Sequence, residues 1–239
     1  MSVDFKSAID PVTEVDIACE KLIVSRLQES FPDHKFLCEE TAKPPFQLDS
    51  SPTWIVDPID GTTNFVHGIP VVAVSIGLWV DSLPVVGVVY NPLMDECFTA
   101  ERTQGAHLND RKLNCSGGAH EIAKAVVCTG IGYDRTETYI THALETQRAL
   151  LTKGVRSLRV IGSAALSMCY VACGRFDCYY EHGVKPWDTA AGCLVIQEAG
   201  GSVTMFGGQG FDLCAGEVAC FANPALSTPI TACISPYGV

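Results

Sequence analysis

The alternation of apolar and polar positions changes along the chain and predicts two kinds of region. In the first half, two runs rich in β-branched residues, 71–80 and 83–90, are separated only by Asp81 and Ser82. This spacing is typical of a β-hairpin. Shorter apolar runs predict further strands at 35–38, 54–56 and 97–100. We therefore expect an antiparallel-rich sheet in this part of the chain.

A helix is predicted ahead of this sheet. Thr13-Glu14-Val15-Asp16 is a capping-box pattern, in which a threonine is followed three residues later by an acid. The mixed polar and apolar residues after it continue to Phe31, and Pro32 is expected to end the helix.

After Gly117 and Gly118, predicted helices alternate with predicted strands. The helices are expected at 136–152, 163–173 and 187–199, and the strands at 125–129, 155–160, 178–180, 202–205 and 218–221. The whole pattern predicts a mixed α/β (α+β) protein with layered sheets. We expect two closely packed subdomains, 1–116 and 117–239.

Composition narrows the class of protein. The 239 residues are 47% hydrophobic and 18% charged, so the chain can bury a sizeable core. With 16 Lys and Arg against 27 Asp and Glu, the formal net charge is −11. That balance disfavours a protein that holds nucleic acid or anionic lipid through its own charge. A phosphate substrate would need positive charge from elsewhere, and a bound divalent cation is the simplest source.

The sequence also indicates the state of the cysteines and the location of the protein. Twelve cysteines are scattered from Cys19 to Cys233, with no C-x-x-C pair, so buried free thiols are expected rather than disulfides or zinc ligands. The first residues do not resemble a signal peptide. The longest apolar stretch, 69–80, is too short to span a bilayer as a helix. We expect a cytoplasmic protein with no membrane partner.

The segment most informative about chemistry is Asp57-Pro58-Ile59-Asp60-Gly61-Thr62-Thr63-Asn64. It places two carboxylates three residues apart on what we expect to be a loop. Gly61 allows a tight turn, and the amides of Gly61, Thr62 and Thr63 can then face outward as an anion-binding nest at a helix start. Taken alone, Asp-Gly-Thr is more often a turn that caps a helix.

Three further motifs favour the chemical interpretation. The segment resembles the D-P-x-D-G-T motif of the inositol monophosphatase family of Mg²⁺-dependent phosphatases. Asp10-Pro11-Val12-Thr13-Glu14-Val15-Asp16 is similar to that family's D-x-V-T-x-x-D element, and Cys38-Glu39-Glu40-Thr41 to its G-E-E-S element. Trp187-Asp188-Thr189-Ala190-Ala191-Gly192 is similar to its W-D-x-A-x-G motif. The resemblance extends from about Asp10 to Asn223 and implies a layered αβαβα sandwich of the sugar-phosphatase type.

The resemblance implies a metal site with two or three Mg²⁺ ions. Glu39, Asp57 and the carbonyl of Ile59 would hold one ion, and Asp57, Asp60 and Asp188 a second. Grouping so many carboxylates in one place, as the resemblance implies, is costly unless cations are present. Taken singly, Glu39 is better explained as a solvated loop acid and Asp188 as a helix N-cap, but taken together the acids favour the metal site.

Other residues are expected to handle water and substrate. The family pairs a threonine with a carboxylate to orient the attacking water, which implies this role for Thr62 and Asp16, although Asp16 also fits a capping box. Gly162, Ser163 and Ala164 open a predicted helix and offer backbone donors, with close helix packing as the alternative. Glu181 occupies the position at which the family presents a carboxylate to sugar hydroxyls.

The expected function is therefore Mg²⁺-dependent hydrolysis of myo-inositol monophosphate, a small-molecule monoester, by metal-activated water. The resemblance also implies sensitivity to Li⁺ and a homodimer. Histidinol phosphate, fructose 1,6-bisphosphate and 3′-phosphoadenosine nucleotides are alternative substrates. A two-metal nuclease is disfavoured by the acidic charge. Only nine residues precede Asp10, where family members usually carry another helix, so a non-catalytic short-form relative is a further alternative.

Overall fold

A computed structural model describes residues 3–7, 10–115 and 117–234 of the chain. The first elements are two antiparallel strands, β1 (Val3–Ser7) and β2 (Asp10–Thr13), followed by helix α1 (Glu14–Ser30). The helix is confirmed together with its capping box, because Thr13 and Asp16 bond reciprocally at its start. The strand pair ahead of it was not predicted.

A seven-stranded sheet follows, and its strands lie side by side in chain order. They are β3 (Lys35–Cys38), β4 (Thr53–Asp60), β5 (Ala73–Val80), β6 (Leu83–Asn91), β7 (Glu96–Glu101), β8 (Gly105–Leu108) and β9 (Arg111–Lys112), with the short helix α2 (Thr62–His67) after β4. Only β3 and β4 are parallel. The hairpin at Asp81 and Ser82 is confirmed, and both residues adopt positive φ, as its tight turn requires.

The expected loop at Asp57 was wrong in one respect. Strand β4 is longer than the predicted 54–56 and carries both Asp57 and Asp60 at its carboxyl end. Its register against β5 shifts between these two acids. Such a bulge accommodates Pro58, which has no N–H to donate, and it re-aims the side chains at the strand end.

The second half forms a five-stranded sheet and four helices. In chain order the elements are β10 (Val126–Thr129), α3 (Glu137–Thr152), β11 (Ser157–Arg159), α4 (Ala164–Ala172), β12 (Cys178–His182), α5 (Pro186–Glu198), β13 (Ser202–Thr204), β14 (Glu217–Phe221) and α6 (Ser227–Ile234). The strand order is β11-β10-β12-β14-β13. The predicted alternation is confirmed, and only α6 was missed.

The elements stack as helix, sheet, helix pair, sheet and helix pair. Helix α1 packs on β4, α4 and α5 pack between the two sheets, and α3 and α6 pack together beyond the second sheet. This arrangement confirms the mixed α/β layered fold. The proposed division into 1–116 and 117–239 stays a prediction, since one apolar core joins both sheets through α4 and α5, and residue 116 lies outside the described residues.

Close packing fixes the start of α5 against the large sheet. A Cβ on Gly87 would lie 2.6 Å from the carbonyl oxygen of Ala191, so only glycine allows the helix to lie this near. The Trp79 indole donates to the carbonyl of Ala190 at 3.1 Å, and the Ser75 hydroxyl donates to that of Trp187 at 3.2 Å. These contacts set the position of the first turn of α5, which carries Asp188.

All cysteines are free thiols, and most are buried. Within the described ranges, no helix combines the length and the apolar character needed to cross a membrane.

Candidate active site

A pocket of about 740 Å³ opens where the carboxyl end of β4 meets the starts of α2, α4 and α5. Every residue predicted from the sequence for the site, except Asp16, lines this pocket. The lining members of that set are Glu39, Asp57, Ile59, Asp60, Gly61, Thr62, Thr63, Gly162, Ser163, Ala164, Glu181 and Asp188. Segments more than a hundred residues apart in the chain therefore meet at one cavity.

Three of the predicted metal ligands form what we call the acid cluster: Asp57, Asp60 and Asp188. One carboxylate oxygen from each residue lies within 4.8 Å of an oxygen from each of the other two. Asp57 is 2% exposed and Asp60 is 8% exposed. The bulged end of β4 supplies two members, and the first turn of α5 supplies the third.

The three carboxylates accept different numbers of hydrogen bonds from the rest of the protein. Asp60 accepts hydrogen bonds from the Ser163 hydroxyl at 2.7 Å, the Ala165 N–H at 2.7 Å and the Ala164 N–H at 3.3 Å. Asp57 accepts from the N–H of Ile59 at 3.0 Å.

Asp188 accepts from the N–H of Lys185 at 2.6 Å. It is the third residue of α5 rather than the N-cap considered from the sequence, and the N-cap position belongs to Lys185. Its carboxylate therefore closes the helix start and faces the pocket at the same time.

Burial and mutual repulsion disfavour the charged forms of these acids. Burial raises the pKa of Asp57 well above its ordinary value, and the charges of Glu39, Asp60 and Asp188 raise it further. Burial raises the pKa of Asp60 to about 6, against the lowering effect of its bonds from Ser163 and Ala165. Burial and the charge of Asp60 likewise raise the pKa of Asp188. A divalent cation with oxygen ligands would relieve this repulsion, so the donor set fits such an ion.

The other two predicted ligand positions lie beside the acid cluster. Glu39 directly follows β3 and donates its N–H to the carbonyl of Val56 at 3.1 Å. It is not a member of the close triad, but its charge reaches Asp57. The carbonyl of Ile59 accepts from the Thr62 hydroxyl at 3.1 Å.

Thr62 and Asp16 are brought together at the start of α2. The Thr62 hydroxyl lies 3.3 Å from Oδ1 of Asp16, which is fully buried. The other oxygen of Asp16, Oδ2, accepts from the N–H of Thr13 at 2.9 Å and from its hydroxyl. The capping role and the contact with Thr62 therefore coexist, because each uses a different carboxylate oxygen.

Backbone donors at the start of α4 are already hydrogen-bonded within the protein, which the sequence did not indicate. The amides of Ala164 and Ala165 donate to Asp60, so the predicted donor at Ala164 is engaged within the protein.

Sequence reasoning gave no role to the side chain of Asn64. Its amide nitrogen donates to the carbonyls of Val71 and Ile161, both at 2.9 Å, and so ties two pocket loops together. Its place at the end of the 57–64 segment was the available signal.

Glu181 lies near the end of β12 and lines the same pocket. Its Oε2 accepts a hydrogen bond from the hydroxyl of Tyr179. Burial raises the pKa of Glu181 to about 7, although the bond from Tyr179 lowers it. An acceptor of this kind suits a neutral hydroxyl donor.

A layered α/β fold with clustered carboxylates at the carboxyl end of a strand is typical of metal-dependent hydrolases. Comparison with known proteins narrows this class. Residues 2–235 match the inositol monophosphatase family. The chain belongs to this family, which is metal dependent, and its acid cluster agrees with that property.

Individual relatives cover most of the chain. Inositol monophosphatase 2 of Solanum lycopersicum is 49% identical over 221 residues, 91% of this chain and 83% of the relative. Inositol monophosphatase 2 of Homo sapiens is 44% identical over 214 residues, 89% and 74% of the two chains. The solved structure of the extragenic suppressor protein suhB from Bartonella henselae has a TM-score of 0.89 at 37% identity, over 98% of this chain and 88% of that one.

Proposed function

We propose that this protein hydrolyses myo-inositol monophosphate to inositol and inorganic phosphate. The observation that carries the proposal is the acid cluster, in a pocket whose lining residues match the family's motifs. Relatives that are named inositol monophosphatases align over about nine-tenths of the chain. The enzyme is accordingly a phosphoric monoester hydrolase.

The proposed cofactor is Mg²⁺, in two or three copies. Glu39, Asp57 and the carbonyl of Ile59 would hold one ion, and the acid cluster would hold another. Bound in this way, divalent cations supply positive charge to the phosphate and lower the pKa of a water molecule. The support lies in the hard oxygen donors and in the raised pKa values of Asp57 and Asp188.

The proposed catalytic residues are Thr62 and Asp16. A hydroxyl has one proton, so Thr62 donates either to Asp16 or to the carbonyl of Ile59 at any moment. When it donates to Asp16, its oxygen is free to accept from a water molecule and to orient it. Burial of Asp16 keeps this pair away from bulk solvent.

The remaining pocket residues are proposed to bind substrate. The amides of Gly61, Thr62 and Thr63 lie at the start of α2 and would contact the phosphate. Gly162, Ser163 and Ala164 line the pocket next to Gly61, and Glu181 would accept hydrogen bonds from ring hydroxyls.

A phosphate-release assay tests the proposal. The purified protein is given inositol 1-phosphate, histidinol phosphate, fructose 1,6-bisphosphate or a 3′-phosphoadenosine nucleotide, each with and without Mg²⁺. We expect Mg²⁺-dependent release with inositol 1-phosphate preferred, and inhibition when Li⁺ is titrated at fixed Mg²⁺. Preference for another monoester would assign a related phosphatase, and no release from any would favour the non-catalytic alternative.

We also propose that two copies associate through an apolar patch beside the pocket. Its members are Ile69, Leu93 and Met94, which are 45%, 62% and 48% exposed. The two loops that carry them are joined, because the Asn91 side chain donates to the carbonyl of Pro70 at 3.0 Å. Exposed apolar side chains grouped in this way are typical of protein interfaces.

Sedimentation at several concentrations tests the dimer. Leu93→Glu is expected to give a monomer, whereas Leu151→Glu, at a site that is 58% exposed on α3, keeps the dimer. A dimer that survives Leu93→Glu would place the interface elsewhere.

A cytoplasmic location stays a prediction.

A further inference from the structure

Strand β12 presents two adjacent tyrosines to opposite sides of its sheet. Tyr179 belongs to the core between the two sheets, and Tyr180 belongs to the core under α3 and α6. Glu181 is two residues beyond Tyr179, so both side chains lie on the same face. The Tyr179 side chain is 1% exposed, and its hydroxyl donates to Oε2 of Glu181.

When Glu181 is ionised, the direction of this bond is fixed, because a carboxylate can only accept. Burial and the adjacent charge of Glu181 raise the pKa of Tyr179 well above its ordinary value. The phenol therefore keeps its proton and acts as the donor, while Glu181 acts as the acceptor. Because Tyr179 is packed in the core, it holds Oε2 at one place.

Gly130 supplies the space in which this carboxyl group lies. It follows β10 directly, and the last residue of β10, Thr129, is paired with Tyr180. A Cβ at Gly130 would overlap Cδ, Oε1 and Oε2 of Glu181, all three atoms of the carboxyl group. The φ of Gly130 is not in the left-handed region, so the position demands glycine for room and not for backbone conformation.

The side chain of Glu181 is flexible, and this determines how a substitution at Gly130 would act. If a methyl group occupied the space at Gly130, the Glu181 side chain could rotate away at little cost to the fold. The position of its carboxyl group in the pocket would be lost. The substitution is thus expected to alter recognition much more than stability.

We infer that Tyr179 and Gly130 are positioning residues that hold the Glu181 carboxyl group toward the polyol of the substrate. The inference rests on the proposed function, since it assigns the residues that make the hydroxyl-binding wall selective. Tyr179 does not line the pocket, whereas Gly130 does. Both act through Glu181.

The test compares inositol 1-phosphate with p-nitrophenyl phosphate, an ester without hydroxyl groups to recognise. In Tyr179→Phe and in Gly130→Ala, the ratio of kcat/KM values for the two substrates is expected to fall about tenfold. Most of the fall should appear in KM for inositol 1-phosphate. Thermal unfolding monitored by circular dichroism confirms that each variant is folded.

Two matched controls are available in the chain. Tyr180→Phe removes a hydroxyl from the neighbouring residue, which lines a separate small cavity on the other side of the sheet. Gly210→Ala adds a methyl group where no atom lies within 4 Å of the added Cβ. Both are expected to keep the wild-type ratio within about twofold.

A double variant separates positioning from general damage. In a Glu181→Ala background, Tyr179→Phe should lower the ratio no further, because its partner is already gone. An equal loss for both substrates, or additive losses in the double variant, would overturn the positioning role while leaving the proposed function intact. A wild-type protein that does not hydrolyse inositol 1-phosphate would contradict the proposed function, and this inference with it.

Discussion

The pocket holds carboxylates in two different ways at its two sides. In the acid cluster, Asp57, Asp60 and Asp188 lie within 4.8 Å of one another, and each raises the cost of ionising its neighbours. Glu181 has instead a tyrosine donor, and its pKa is raised to about 7 chiefly by burial. The first arrangement requires positive charge from outside the chain. The second needs only a neutral donor, which a polyol provides.

The same contrast exists within the acid cluster itself. Asp60 faces the start of α4 and accepts from one hydroxyl and two amides. Asp57 accepts from one amide and carries the repulsion of three other acids. Asp57 and Asp188, with one amide donor each, are therefore compensated less than Asp60, and removal of the Asp57 charge should separate metal chemistry from stability.

The largest effect is expected from Asp57→Asn. The change removes one charge from the acid cluster and keeps the size of the side chain, so we expect the fold to persist and Mg²⁺-dependent turnover to fall at least ~10³-fold. Phosphate release and circular dichroism measure the two effects. Asp49→Asn is the control, since Asp49 is an exposed acid paired with Lys35. Near-wild-type turnover in Asp57→Asn would show that the cluster is not the metal site.

A smaller effect is expected from Thr62→Val, which keeps the shape of the residue and removes its hydroxyl. Loss of the contact with Asp16 should lower kcat about 10²-fold and change KM little. Thr62→Ser restores a hydroxyl at the same place and should recover most of the rate. If Thr62→Ser were as slow as Thr62→Val, packing at the start of α2 would explain the loss better than orientation of water.

Features fixed by neighbours in sequence were predictable, and features fixed across the fold were not. The capping box at Thr13 and the hairpin at Asp81 follow from local backbone chemistry, and both are confirmed. Twelve residues that the sequence motifs singled out line one pocket. The second contact of Asp16 and the room that Gly130 leaves for Glu181 arise only when distant strands and helices pack together.

The sequence errors have the same origin. The end of β4 was expected to be a loop because Pro58 and Gly61 are turn residues, but pairing with β5 on one side and a bulge keep it in the sheet. Strands β1, β2, β8 and β9 and helix α6 are short, with weak apolar periodicity, so tertiary packing decided their structure.

Glu181→Gln tests the other side of the pocket and should have a more modest effect. An amide keeps one acceptor and replaces the other with a donor, so one substrate hydroxyl loses its partner at a cost of about 1 to 3 kcal/mol. The value of kcat/KM for inositol 1-phosphate should fall more than that for p-nitrophenyl phosphate. An equal fall for both would make Glu181 a structural residue or part of the metal chemistry.

The smallest expected effect is on the stability of the metal-free protein, where the acid cluster opposes folding. A carboxyl group whose pKa is raised in the folded state favours folding while it is protonated, and this contribution is lost as the pH rises through the folded-state value. The pKa of Asp60 is raised to about 6, and that of Asp57 is raised well above its ordinary value. In EDTA, the Tm of the wild type should therefore fall as the pH rises from about 4 through 6 and beyond, by a few degrees. Asp57→Asn should show a smaller fall, so its Tm should exceed that of the wild type at neutral pH, and saturating Mg²⁺ should remove the difference or reverse it. Equal slopes for the two proteins in EDTA would mean that the pKa of Asp57 is not raised in the folded state.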